Sequence, residues 1–520
     1  MSSPTEPQAD HWLTPSLWRR RMALWAGAVA VGLVAIAFAS LADMAFQLFR
    51  GVYGNSPWWS LLLTPACFAL LVWLTEGFLR NARGSGIPQV IAATSRGDTA
   101  FVERLLSLRV SAAKLVLTVL ALGGGASVGR EGPTVHVGAG LLYAFGRRLG
   151  FVDAREATRF ALAGGAAGIA AAFNTPLAGV VFAIEELSNS YEHRFSGVLL
   201  GAVLIGGVVS LGIVGDYAYF GRLQASLPLG QAWLGVLLCG LAGGLFGGLF
   251  SRLVLVGTQR WPGRIGDWRQ RHPVIFAALC GLVLAGLGIA TGGHVFGTGY
   301  EEARSLLQDE AMVGAEFGAV KFLANLVSYV AGIPGGIFSP ALAVGAGIGS
   351  NVASFLPSVD PSTLVLLGMC AYLAGVTQAP LTSAVISLEL TSNQTMVLPI
   401  MAVCLIARAV SALLCPTPLY RSLANRLLDP TAPDDARTAE QPTSKAAEED
   451  DDSTDDAEPA SPPIPAPILP VDPSEDGHST TAKQDENGQS AKTMQDSDTD
   501  NNDADSAGTS ANTPNIDSKP

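Results

Sequence analysis

An all-α polytopic membrane fold is what this sequence predicts, and three observations predict it. Apolar segments of spanning length recur at about 22–40, 59–79, 111–128, 160–184, 196–215, 231–255, 274–291, 336–356, 363–388 and 396–415. Each can supply the roughly 20 apolar residues that a bilayer core demands. Composition agrees: 49% of residues are hydrophobic and 15% charged, against about 25% charged in a soluble domain, and mean hydropathy is +0.35 in spite of a long polar tail. The two halves of the apolar region also resemble each other.

The first apolar segment follows "WRRRM" with no small-residue cleavage site behind it, so it reads as a start helix after a cytoplasmic N-terminal segment, residues 1–20. Basic residues cluster in "GRRLGFVDAREATR" (146–159), in "RWPGRIGDWRQRH" (260–272) and in "YRSLANR" after the last apolar segment. The excess of Lys and Arg on cytoplasmic loops places all three, and both termini, inside. The six cysteines are scattered through the apolar segments without a CxxC pair, which points to packing rather than to a metal site or disulfides. Residues 429–520 hold 23 acidic and 5 basic side chains, while residues 1–428 hold 21 and 27. The net acidity therefore belongs to the tail, which reads as disordered and solvated.

"PTVHVGAG" (133–140) echoes "PALAVGAG" (340–347), and "TPLAGVVFAIE" (175–185) echoes "APLTSAVISLE" (379–389). The offsets, 207 and 204 residues, nearly agree, which favours a duplication of about 21–215 and 231–428 over chance. Repeated membrane proteins whose helices are interrupted at matching places are typically transporters, with substrate at the repeat interface.

Three stretches break the apolar pattern: "GSGIP" (84–88), "GREGP" (129–133) and "GIPGGIFSP" (332–340). In each, Gly permits unusual backbone geometry, and a Pro such as Pro88 or Pro133 suits the first turn of a helix. A helix start carries unpaired N–H groups and partial positive charge, so three converging starts form an anion site without a full cation. A buried Lys or Arg in that place would hold an anion too tightly for transport. Within the second break stands Glu131, whose charge costs ~2.5–3.5 kcal/mol at the bilayer centre, so it is a functional candidate by default. Pairing with its neighbour Arg130 is a poor alternative, because adjacent residues on a helix do not face each other.

These motifs, in this order, resemble the signature set of the CLC family of chloride channels and chloride/proton antiporters. Ile333 stands where the family often has Ala or another small residue. The likeness continues through "AAAFNTPLAGVVFAIEEL" (170–187), "APLTSAVISLELT" (379–391) and "PTPLYRSL" (416–423), covering roughly residues 20–428. The resemblance implies a CLC-type inverted repeat with tilted and broken helices, no C-terminal regulatory domain, and a homodimer with an anion pathway in each subunit.

It also implies residue roles. Glu131 is the external gate, a tethered carboxylate that competes with the anion when charged and swings away when protonated. Ser85 and Tyr420 supply hydroxyls to a central chloride site, and the amides of Ile337 and Phe338 complete it. Locally Ser85 is as well read as a helix cap, and Tyr420 as an interfacial anchor. Gly84, Gly86, Pro88, Gly129, Arg130, Gly132, Pro133, Gly335 and Gly336 are the remaining motif residues of the pathway. Serine at position 85 resembles chloride-selective members, where nitrate-preferring relatives have proline, and fluoride exporters depart from this motif. Glu186 matches the internal proton-transfer glutamate of the antiporters, which channels replace. Glu185, the repeat partner of Glu389, points to a structural role for that pair, bonding loop amides.

"GASVG" (125–129) fits a serine-nucleophile pattern, but that motif needs a strand-turn-helix setting with Asp and His partners. His136 has no second His or Cys at ligand spacing and reads as packed or cavity-lining. Gly197/Gly201 and Gly240/Gly244 suit close helix packing. The expectation is thus a chloride/proton exchanger of the bacterial inner membrane, with a passive voltage- or pH-gated chloride channel of the same fold as the alternative. It is not an enzyme, and neither cofactor, metal nor nucleic acid is implied. Truncation after Leu428 is expected to leave chloride flux in proteoliposomes unchanged, because a solvated tail adds nothing to the membrane body.

Overall fold

Most apolar runs become single helices here, and two break where a left-handed residue stands two positions before a proline. The computed structural model describes residues 15–429 apart from 97, 151–153, 189–196, 216–217, 224–225, 228–229, 231–232, 260 and 311–312. The acidic tail from residue 430 onward lies outside the described residues. The first half runs α1 (Pro15–Asn55), α2 (Ser60–Gly77), α3 (Ile87–Arg96), α4 (Thr99–Leu106), α5 (Leu108–Gly123), α6 (Glu131–Arg148), α7 (Ala154–Phe173), α8 (Pro176–Phe182) and α9 (Gly197–Val214). The second runs α10 (Trp233–Thr258), α11 (Gly263–Arg271), α12 (Pro273–Ala290), α13 (Tyr300–Leu307), α14 (Phe317–Val330), α15 (Phe338–Ala353), α16 (Pro361–Thr377), α17 (Pro380–Thr391), α18 (Val397–Leu414) and α19 (Leu419–Leu428). Seven helical stretches among the described residues are long and apolar enough to cross a bilayer. The chain is a multi-pass, all-α integral membrane protein.

Some boundaries differ from expectation. Helix α1 begins at Pro15, ahead of its apolar span, which runs from Arg21 to Asn55. Segments 160–184 and 363–388, expected as single spans, are each two helices. Asn174 and Gln378 turn left-handed at φ 56° and 60°, and Pro176 and Pro380 then open α8 and α17. Proline lacks the N–H that would continue the helix and clashes with the preceding turn. Helix α14 falls outside the expected segments because Lys321 and Asn325 interrupt its apolar run, yet both side chains are buried.

The repeat is visible in the packing. Helix α6 packs on α7 as α15 does on α16, and α1 packs on α9 as α10 does on α18. At both crossings backbone meets backbone: a Cβ on Gly138 would stand 2.3 Å from the Gly164 carbonyl oxygen, and one on Gly345 would stand 2.5 Å from that of Gly368. Small residues are what permit such approach. Gly240 and Gly244 serve likewise against Ile406 and Ala407 of α18, whereas Gly197 and Gly201 make no close approach within the subunit.

Helices α8 and α17 are tied reciprocally. Glu389, in the last turn of α17, accepts from the amides of Leu177 (3.1 Å) and Ala178 (2.6 Å). Glu185, in the π-turn that follows α8, accepts from Leu381 (3.2 Å) and Thr382 (2.6 Å). Each acid satisfies orphan donors at the other helix's start, which requires the two helices to run antiparallel, as an inverted repeat demands. The structural role expected for this pair is what the geometry gives. Glu389→Ala is expected to lower the stability of detergent-purified protein by about 2–3 kcal/mol, the worth of hydrogen bonds to a charged group. Thermal unfolding measures it, with Glu389→Gln retaining part of the loss.

Candidate functional site

Gly129 donates its amide to the Gly336 carbonyl at 2.7 Å, and Gly336 returns one to Gly129 at 2.6 Å. Gly335 donates to the Gly84 carbonyl at 3.3 Å. The three breaks therefore meet, as the sequence predicts. Gly84 and Gly86 take positive φ (69° and 104°), and Pro88 and Pro133 lie in the first turns of α3 and α6. At Gly132 a side chain would displace Ser85: a Cβ would stand 2.3 Å from Ser85 Oγ and 3.0 Å from the Ser85 carbonyl.

Helices α6 and α15 start at Arg130 and Ile337 without any side-chain cap. The first amides of α15, including that of Phe338, thus have no partner in a preceding turn. Behind the first break, Lys114 Nζ donates to the carbonyls of Arg83 and Gly84, both at 3.1 Å. Lys321, 207 positions later, donates to Val295 and Gly297 at 2.9 Å. Both lysines are fully buried. The sequence reading missed them, although they share the offset of the repeat.

Four buried side chains at this junction keep a polar atom without a hydrogen-bond partner: Ser85 Oγ, Glu131 Oε2, Glu186 Oε1 and Tyr420 Oη. Ser85 is not a helix cap, since its hydroxyl bonds no amide. Tyr420, fully buried at the start of α19, is not an interfacial anchor. Its hydroxyl is within hydrogen-bonding reach of Ser85 and feels the charges of Glu186 and Glu131. Its ring stacks on Phe338 at 6.1 Å, and Phe338 meets Phe182 edge-on at 5.9 Å. Glu186 is buried beside half-buried Glu185, so it is not a solvated helix end.

Arg130 turns away from Glu131 to α1, donating to the Ala39 carbonyl (3.0 Å) and to Asp43 (2.5 Å). Glu131 instead accepts from Ser339 Oγ on α15, a residue within the third break to which the sequence alone assigned no role. A cavity of about 300 Å³, lined by Asp43, Arg50, Arg130, Tyr219 and Glu302 among others, opens beside Arg130. Ser127 lies in irregular chain between α5 and the Gly129–Gly336 bridge, not at a strand-to-helix turn. His136 packs with Nε2 2.9 Å from the Leu105 carbonyl.

Buried polar groups left without partners are costly. Here they include two hydroxyl donors set among uncapped helix starts, with both nearby ammonium groups bonded to carbonyls. That chemistry suits a small anion held by neutral donors. An inverted repeat that spans the bilayer and aims broken helices at one buried point defines an anion-pathway membrane protein.

The family profile described as "Voltage gated chloride channel" matches residues 67–412, and the chain belongs to this family. It is 32% identical over 435 residues to the H(+)/Cl(-) exchange transporter ClcA of Yersinia pestis bv. Antiqua (strain Angola), covering 77% of this chain and 86% of that one. To ClcA of Vibrio parahaemolyticus serotype O3:K6 (strain RIMD 2210633) it is 31% identical over 396 residues, 71% and 80% of the two chains. Among solved structures it superposes on a slow cyanobacterial Cl-/H+ antiporter with a TM-score of 0.68 at 24% identity, covering 81% of this chain and 99% of that one. A CLC-type fluoride/proton antiporter gives 0.65 at 21%, covering 76% and 95%. These two show the shared fold.

For chloride, the anion of the family's name, Tyr420→Phe is expected to weaken binding by titration calorimetry about five- to tenfold, the worth of one neutral hydrogen bond. Gly132→Ala, which drives a methyl group into Ser85, is expected to abolish measurable binding.

Proposed function

We propose that this protein exchanges chloride for protons across the membrane. The observation that carries the reading is a pair of buried acids, Glu131 and Glu186, that both act electrostatically on the buried Tyr420 hydroxyl. Chloride is held by the hydroxyls of Ser85 and Tyr420 and by the amides of Ile337 and Phe338. When Glu131 is charged, its carboxylate competes for the same donors. When it binds a proton that attraction falls, and the anion path opens. Glu186 relays protons between the other face and this junction, so that proton and chloride routes meet at Glu131. The named relatives are chloride/proton exchangers, and retention of both acids in this chain supports the same coupling.

The protein works as a homodimer with one pathway per subunit, in a bacterial inner membrane, with both termini cytoplasmic. The basic helix α11, rich in exposed arginine, and the arginines that end α6 support that orientation.

Paired chloride and proton fluxes in proteoliposomes test the mechanism. An imposed chloride gradient is expected to drive protons uphill in the parent. Glu131→Gln and Glu186→Gln are each expected to keep chloride flux and lose proton movement. Chloride flux in the parent without any uphill proton movement makes it a passive channel instead.

A further inference from the structure

Ser339 is the second residue of α15, and its hydroxyl donates to Glu131 Oε1. Both side chains are buried, and the other carboxylate oxygen has no partner. Among the described residues, Ser339 is thus the hydrogen-bond donor that the carboxylate possesses. The groups that face Glu131 electrostatically are Arg130 at its own helix start, Tyr219 from the segment after α9, and Tyr420 from α19, with Asp43 of α1 acting through Arg130. Arg130 spends its hydrogen bonds on α1. The Tyr219 hydroxyl is hydrogen-bonded to Ser339, whose oxygen can accept from it while its proton goes to Glu131, and Tyr219 also lines the outer cavity.

We infer that Ser339 is a positioning residue for the gate: its hydroxyl holds the charged carboxylate of Glu131 at the start of α15 and thereby sets the pH at which the gate opens. A hydroxyl has a single proton to donate, and a hydrogen bond to a charged carboxylate is roughly twice as strong as one to a neutral acid. The contact therefore favours the charged, seated form. The backbone amides at the helix start act in the same direction but equally on chloride; the Ser339 hydroxyl is aimed at the carboxylate itself. Being on α15 while Glu131 opens α6, Ser339 also ties the gate's position to the junction of the two repeat halves. This inference rests on Glu131 being the gate.

The sign follows directly. Without the donor, the charged carboxylate loses stability relative to the acid, protonation occurs at a lower proton concentration, and the pH profile of chloride flux moves upward. In proteoliposomes carrying the full chain, Ser339→Ala is expected to raise the midpoint of that profile by about one pH unit, which converts to about 1.4 kcal/mol. Ser339→Thr, which keeps the hydroxyl, is expected to restore the parent midpoint. Ser339→Cys, close in volume and a far weaker donor, is expected to fall between Ala and the parent, and it carries the test should the alanine variant not fold.

Glu131→Gln separates the two readings. A flat profile in that variant, with Ser339→Ala adding nothing in the double variant, supports the inference. A flat profile in Glu131→Gln with an unmoved midpoint in both Ser339→Ala and Ser339→Cys overturns the role of Ser339 and leaves the gate standing. A parent-like profile in Glu131→Gln removes the gate and this inference with it. A Ser339→Ala shift that persists in the Glu131→Gln background places the action of Ser339 elsewhere and also overturns it.

Discussion

Two backbone hydrogen bonds, exchanged between Gly129 and Gly336, are the constraint on which the rest depends. They are made by residues outside any helix, at the depth where two helices begin, so they fix the starts of α6 and α15 against each other. In a bilayer an irregular backbone survives only where protein satisfies it, and this pairing satisfies part of each break with the other. The remaining amides are those of the helix starts, which point at the junction and are left for a ligand. Any side chain at Gly132 would close that junction by pressing on Ser85. The backbone contacts of Gly138 on Gly164 and of Gly345 on Gly368 then hold α6 and α15 to the helices that follow them.

Full positive charges are present nearby, and their placement explains the chemistry. Lys114 and Lys321 are fully buried, and each donates to carbonyls of the loop before α3 or α13. An unpaired buried ammonium is too costly to keep, so the carbonyl cradles are what make these lysines tolerable. The cradles also take their hydrogen bonds away from the anion junction. What remains facing the junction are neutral donors, strong enough to replace part of an anion's hydration and weak enough to release it.

Much of this was legible in the sequence, for specific reasons. The breaks could be read because Gly and Pro signal non-helical backbone regardless of tertiary context, and their order fixed the family. The reciprocal tie of Glu185 and Glu389 was legible from one repeat offset. The splits at Asn174 and Gln378 were not read, because an apolar window averages across a single left-handed residue. Lys321 hid α14 for the same reason in reverse: one charge lowered the average of a helix that buries it. Ser339 was missed because its role depends on a contact 208 positions away in the chain, and no local pattern encodes that.

The repeat itself separates frame from chemistry. Positions that hold the fold keep their character across the halves: Lys114 and Lys321, Gly138 and Gly345, Gly164 and Gly368, Pro176 and Pro380, Glu185 and Glu389. Asn174 and Gln378, though different residues, share the left-handed turn. The positions proposed to move protons do not keep theirs. At the 207-residue offset Glu131 corresponds to Phe338, and at the 204-residue offset Glu186 corresponds to Leu390. A perfectly symmetric chain would place an acid at both helix starts, where two carboxylates would repel across one small site and neither would seat. With phenylalanine in the second position, one helix start carries an aromatic wall and the other a single acid. Both acids lie in the first half, while Ser339 and Tyr420, the latter stacked on Phe338, come from the second. The duplication supplies the paired helix starts, and the halves lose their symmetry at Glu131 and Glu186, the two positions proposed to carry the proton chemistry.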